Sequence, residues 1–192
     1  MINEQTYNLL KENFGAVSSW AIWALPSNTP KSNTGDMSVF DDENLLKKLN
    51  TGYVFVGLNA SEVQNDNIVS WSCFHSTNPR QNDFKLRYAL MGQEKYWGSY
   101  ITDLIKNFTK TDSSEVVKYM KKHPEELEKH ITAFLDEISL IGTPILVAMG
   151  NATYKLLKPL SKKGFVIKKI PHYAHRINKE IYREKVLAAL ET

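Results

Sequence analysis

The chain has 192 residues, of which 42% are hydrophobic, 23% charged and 11% aromatic, and its formal net charge is only +3. That is enough apolar material for a core in one domain of roughly 100–200 residues, and it excludes a disordered chain. Cys73 is the only cysteine, which excludes a disulfide scaffold, an iron–sulfur cluster and a cysteine-based zinc site on this chain.

The start, Met1 to Gln5, has neither the basic stretch nor the apolar core of a signal peptide. The longest apolar run, Pro144 to Met149, falls far short of the roughly 20 residues that cross a bilayer. A soluble, cytoplasmic protein with no membrane partner is expected, folded as a single domain over 1–192, and nothing demands more than a monomer. From Asn151 to Thr192 there are ten Lys/Arg against three Glu, a local balance of +7, so the first 150 residues carry −4 of the total +3. This asymmetry fits an anionic partner such as nucleic acid at the C-terminal third, or a solvated lysine-rich face.

In chain order, Leu9, Leu10 and Phe14 at helical spacing predict a helix over Glu4–Phe14. Ser19–Leu25 is rich in strand formers, with Trp20 and Trp23 expected on one face as core, and it runs into a loop with Pro26, Pro30 and Gly35. Asp41 and Asp42 can cap a short helix through Leu49. Tyr53–Gly57 reads as a buried strand, followed by a long irregular stretch, Leu58–Asp83, whose Trp71, Phe74 and His75 argue for order. A strand over Tyr100–Leu104 precedes two helices, Ser114–Lys122 and Pro124–Ile141, and His123 and His130 between and within them read as solvated. Then come a strand (Pro144–Met149), a helix (Asn151–Leu157), a strand (Phe165–Ile167) and a helix (Asn178–Leu190). Strands alternating with helices predict a three-layer α/β/α sandwich on a mainly parallel central sheet.

Ligands of such sheets bind at the carboxyl ends of the strands. The residues there are Asn59-Ala60-Ser61, Asp103, Gly150-Asn151 and His172-Tyr173-Ala174-His175-Arg176. Gly57-Leu58-Asn59-Ala60-Ser61 combines small residues, which let a ligand approach the backbone, with an amide able to orient a water; a plain strand-to-loop turn has the same composition. His172 and His175 beside Arg176 suit hydrogen bonding toward an anion or a polar base. A metal reading lacks a third ligand, because His75, His123 and His130 match no zinc spacing. Phe74 serves either as a plug for the core or as a platform for a base.

Together these segments resemble the uracil-DNA glycosylase superfamily, most closely its mismatch-specific branch. Tyr53-Val54-Phe55-Val56-Gly57-Leu58-Asn59-Ala60-Ser61 resembles the first motif, Gly-Ile/Leu-Asn-Pro-Gly in that branch. Trp71 to Arg80 resembles the loop supplying the stacking phenylalanine, here Phe74. Ile101-Thr102-Asp103-Leu104-Ile105-Lys106 resembles the Ile-Thr-Asn-Val-Val-Lys strand of several branches, and Ile145 to Asn151 the strand-and-glycine segment before the last helix pair. Ile170-Pro171-His172-Tyr173-Ala174-His175-Arg176 looks like the second motif, His-Pro-Ser-Pro-Leu-Ser. The likeness runs in order from Tyr53 to about Arg183.

The resemblance implies a glycosylase-like fold and a base-excision activity on a flipped, deaminated or mismatched base in double- or single-stranded DNA, without cofactor or metal. It implies Asn59 as the residue positioning the attacking water and His172 as the group stabilising charge on the leaving base. It implies base contacts from Gly57, Leu58, Ala60, Phe74 and Asp103. Contacts to DNA would come from Ser61, Gly150, Asn151, His175 and Arg176, the last as the wedge in the vacated stack. Three departures stand out: Ala60 replaces a proline, Tyr173 and Ala174 replace a proline and a serine, and Asp103 stands where several branches carry asparagine. An ionised aspartate only accepts hydrogen bonds, so uracil O4 would face a carboxylate, and an amino-bearing base edge would suit it better; the other reading pairs Asp103 with Lys106, away from the base. The alternatives are a catalytically silent member binding nucleic acid or a nucleotide, and an unrelated α/β protein in which Asn59, Phe74 and His172 would not share a pocket.

Overall fold

The computed structural model describes residues 2–59, 69–78, 80–106, 108 and 112–192. Among these, the strands are β1 (Ser18–Trp20), β2 (Asn50–Asn59), β3 (Ser99–Ile105), β4 (Ile145–Met149) and β5 (Ile167–Ile170). The helices are α1 (Glu4–Phe14), α2 (Leu45–Lys48), α3 (Asp83–Leu90), α4 (Ser113–Lys122), α5 (Pro124–Ser139), α6 (Asn151–Leu157) and α7 (Lys179–Glu191). The strands form one sheet in the order β1-β3-β2-β4-β5, parallel throughout except for β1, which pairs antiparallel with β3. This is an α/β fold on a five-stranded, mostly parallel sheet, compatible with a three-layer α/β/α sandwich.

Strand periodicity sorts the side chains to two faces. From β2, Val54, Val56 and Leu58 join Leu10, Phe134, Ile138 and Leu157 of α1, α5 and α6 in one apolar cluster. Tyr53 and Phe55 join Leu86 and Leu90 of α3 and Tyr182, Val186 and Leu190 of α7 in the other. Both faces of the central strands are covered, which is why β2 and β4 read as continuous apolar runs. By the same alternation Gly57, Asp103 and Met149 belong to the α3/α7 face at the carboxyl end of the sheet.

Several elements differ from expectation. β1 stops at Trp20 instead of continuing to Leu25. Trp20 and Trp23 are both core residues, but they lie in different clusters, on opposite sides of the sheet. Residues three apart cannot share a strand face. β5 begins at Ile167 and includes Lys168 and Lys169. An edge strand carries lysines readily; here Lys168 donates to the Leu190 carbonyl (2.6 Å) and Lys169 lies over the Tyr154 ring. Asp42 does not cap α2 directly: it accepts from the Asn44 N–H, while Asp36 caps a 3₁₀ turn over Met37–Phe40. His123 and His130 are half-buried.

Helix α3 has no counterpart in the sequence reading, because its inward face is polar. It buries Asp83, Lys85 and Arg87 beside Leu86 and Leu90, so the apolar periodicity that marks a helix is broken. Each buried polar group has a task. Arg87 donates to the carbonyls of Ala24, Pro30 and Ser32, each at 2.8 Å. Lys85 donates to the His175 carbonyl (2.8 Å), and Asp83 accepts the Ser76 N–H (3.0 Å). One helix thereby holds three loops. Arg87→Met keeps the stem but strips three carbonyls of their donor, and urea unfolding should show a loss of about 2–4 kcal/mol.

Candidate functional site

At the carboxyl ends of the parallel strands lies a cleft of about 440 Å³. It is lined by Leu58 and Asn59 after β2, Asp103 on β3, Met149, Gly150 and Asn151 after β4, and His172 to His175 after β5. Gln81 and Thr153 complete part of its wall. Two other clefts, of about 480 and 710 Å³, are lined by polar loop residues and by Trp23 and Trp97 respectively. The smaller cleft is the candidate, because it sits where open α/β sheets bind ligands and because titratable groups with shifted protonation converge there.

Asp103 is held at the floor by a glycine. Gly57 and Asp103 are direct partners across β2 and β3, and a Cβ at Gly57 would lie 2.0 Å from the Asp103 carboxyl oxygen. Only glycine permits this carboxyl to lie over the neighbouring strand. Burial raises the Asp103 carboxyl from 3.8 to about 7; Lys106 opposes that rise and Glu137 adds to it. Lys106 does not pair with this carboxylate. Its ammonium bonds to Glu137, to the Thr102 hydroxyl (3.0 Å) and to the Asp103 backbone carbonyl (2.9 Å).

His172 faces the same cleft. Its Nδ1 accepts the Ala174 N–H at 3.1 Å, so in the neutral ring the proton resides on Nε2, which is a donor. Burial, assisted by His175, lowers its pKa to about 4, and the ring is neutral under ordinary conditions. Gly150, at φ 94°, brings β4 close: a Cβ there would lie 3.3 Å from the His172 Cβ. Asn59 donates through Nδ2 to the Phe108 carbonyl (2.8 Å), which fixes the amide plane and identifies Oδ1 as its acceptor end.

Of the residues expected from sequence, Leu58, Asn59, Asp103, Gly150, Asn151, His172 and His175 line this cleft, with Gly57 beneath Asp103. Ala60 and Ser61 lie outside the described residues. Phe74 is not a lining residue, so Asn59 and His172 share the cleft but the trio Asn59, Phe74 and His172 does not, which is the outcome expected of an unrelated α/β protein. Phe74 packs on the α3/α7 cluster with a left-handed backbone (φ 64°), and its carbonyl accepts the Trp23 indole N–H. Arg176 is exposed in the loop beyond the cleft. Tyr173 is the aromatic that lines it, and burial, then Asp83 and Asp103, push its hydroxyl well above the ordinary range. Its place next to His172 was the available signal. For Gln81, at the start of α3 and far from any strand end in the sequence, there was none.

The C-terminal basic residues divide. α6 leads away from the cleft toward the start of β5, so Lys158, Lys162 and Lys163 are carried to the opposite end of the sheet, while Lys169 stays at the rim, bonded to Asn151 (3.2 Å).

Cys73 is close enough to feel Asp103. Burial, then that carboxylate, push its thiol up to about 12, and its Sγ donates to the Ala16 carbonyl (3.3 Å). Iodoacetamide at mildly alkaline pH should label native Cys73 about 10³-fold more slowly than a free cysteine, as read by mass spectrometry.

Among the described residues no group of three or more His, Cys, Asp or Glu is placed to hold a metal ion, and no helix is long and apolar enough to cross a membrane. A scan of protein-family models gives no match to this chain, and comparison with curated proteins and with solved structures gives none either.

Proposed function

We propose that the protein is a DNA base-excision glycosylase acting on an extruded base. The observation that carries this reading is convergence: the ends of β2, β3 and β4 and the loop after β5 bring Asn59, Asp103, Gly150 and His172 into one cleft. These are the positions whose sequence motifs resemble the glycosylase superfamily.

The chemistry suits the groups present. A water placed by the Asn59 Oδ1 adds to the anomeric carbon as the N-glycosidic bond breaks with oxocarbenium character. The bonding pair leaves with the base, whose developing anion is met by the Nε2–H of neutral His172. The departing base then takes up the water's proton. Tyr173 supplies an aromatic wall in place of Phe74. His175, Arg176 and Lys169 at the mouth offer donors and charge to the phosphate backbone.

An excision assay tests this: end-labelled oligonucleotides, single- and double-stranded, carrying uracil, hypoxanthine, xanthine or a mismatched normal base, followed by alkali. Strand cleavage that disappears in Asn59→Ala and His172→Ala supports the reading. No cleavage on any substrate, with salt-sensitive DNA binding retained, would replace it with a silent binding module.

A further inference from the structure

We propose that Asp103 selects the bound base and does so as a neutral carboxylic acid, reading an imide or lactam edge (a ring N–H beside a carbonyl, as at N3 of uracil or N1 of hypoxanthine). The inference rests on the glycosylase reading for the word "base"; the edge it names is argued from the cleft itself.

The carboxyl is built for contact with a ligand. Among the described residues it makes no hydrogen bond with the protein, although it lies on the floor of the cleft, and Lys106, the nearest cation, is turned to Glu137 and to a backbone carbonyl. Gly57 removes the one side chain that would cover it. A carboxylic acid presents a donor O–H and an acceptor C=O side by side, the same pattern as an asparagine amide. It can give the O–H to the base carbonyl and accept the ring N–H. A carboxylate has lost the donor, and the base carbonyl then faces a negative oxygen. The expectation that uracil is disfavoured presupposed this ionised form.

The groups around the carboxyl bear on its protonation from several elements. Burial drives Asp103 to about 7. From β3 and α5 it meets Lys106 and Glu137, which act in opposite directions. From the loop after β5 it shares the cleft with neutral His172, together with His175 and Tyr173, Cys73 approaches from before α3, and Asp83 within α3 acts on the same Cys73 and Tyr173. The Cys73 thiol and the Tyr173 hydroxyl stay protonated over the range in which Asp103 titrates. Recognition therefore follows one proton. A required acid loses roughly tenfold in competent fraction for each pH unit above its midpoint.

The test uses the whole protein and two small bases whose N1 is closed as in a nucleotide, 1-methyluracil and 1,3-dimethyluracil, the second with no ring N–H left, with binding read by saturation-transfer NMR at roughly pH 5.5 and roughly pH 8.5, either side of about 7. 1-Methyluracil should bind at the lower pH and lose at least about tenfold at the higher, while 1,3-dimethyluracil should bind at neither. In Asp103→Asn the 1-methyluracil signal should persist at both pH values, because the amide keeps its donor. Equal binding of the two bases, or a pH dependence that survives in Asp103→Asn, would overturn the proposal, as would 1-methyluracil binding that is flat across this range in the wild-type protein. The wild-type comparison needs no variant to fold. If 1-methyluracil binds as described and no oligonucleotide is cleaved, the glycosylase reading fails and the assignment of Asp103 stands. If cleavage occurs on a base lacking an imide or lactam edge, the assignment fails and the activity stands.

Discussion

Replacing Glu137 by alanine is expected to destabilise the protein by about 3–5 kcal/mol, the usual result of removing one partner from a buried ion pair. Glu137, fully buried on α5, accepts from the Tyr100 hydroxyl (2.9 Å) and the Thr102 hydroxyl (2.9 Å) and pairs with Lys106. Alanine would leave two hydroxyls and an ammonium without that acceptor under a helix. For a chain of this size each kcal/mol moves the melting temperature by about 2–4 °C, so a fall of roughly 10 °C should be visible by calorimetry. Glu137→Gln keeps the volume and an acceptor oxygen, and should cost less. Combining Glu137→Leu with Lys106→Met and Thr102→Val should recover much of the loss, since a well-packed apolar replacement removes the stranded charge as well. A melting temperature unchanged in Glu137→Ala would show that this network holds nothing. The network reaches the cleft, because the same ammonium holds the Asp103 carbonyl.

The second large effect is expected in catalysis. His172→Ala should lower excision about 10²–10³-fold, the cost of deleting one fixed donor to a developing anion. Asn59→Ala should lower it by about 10²–10⁴-fold through loss of the positioned water. Asn59→Ala and His172→Ala each also delete one hydrogen bond, to the Phe108 carbonyl and from the Ala174 N–H respectively, so the melting temperature should be read beside the rate. His172 is neutral above about pH 4, so its contribution should be level from roughly pH 5 upward. A rate that climbed on protonation near the ordinary histidine value of 6.5 and still did so in Asp103→Asn would contradict the neutral-donor role. Retention of full excision in both variants would remove the chemistry from these residues altogether.

Asp103 gives a stability check that is independent of any substrate. Its carboxyl is raised in the folded state from 3.8 to about 7, so the folded protein holds the proton more tightly than the unfolded chain. Stability is then greatest below the unfolded value, declines as pH rises from about 4 to about 7, and stays lowered above it. Asp103→Asn should remove this decline, and the variant should exceed the wild type above pH 7 while matching it in acid.

Most elements were legible because their physics is local. Continuous apolar runs marked β2 and β4, a proline marked the first turn of α5, and helical spacing marked α1. The candidate positions Asn59, Asp103, Gly150 and His172 could be named because ligands of such sheets gather at strand ends, and the cleft contains all four. Helix α3 was not legible, since Asp83, Lys85 and Arg87 point inward to loops up to 90 residues away in sequence, and no window of the chain reveals what those groups meet. Tyr173 took the place expected of Phe74 for a similar reason: the left-handed backbone at Phe74 and the Trp23–Phe74 bond hold that ring against α3 and α7.

The amino-acid order thus determined the strands, most of the helices and the list of polar residues at the strand ends. Which of those residues face one another, and in which protonation state, was decided by the tertiary structure. Burial and the neighbours of a group set its charge, and at Asp103 they come from strands, helices and loops brought together only when the chain folds.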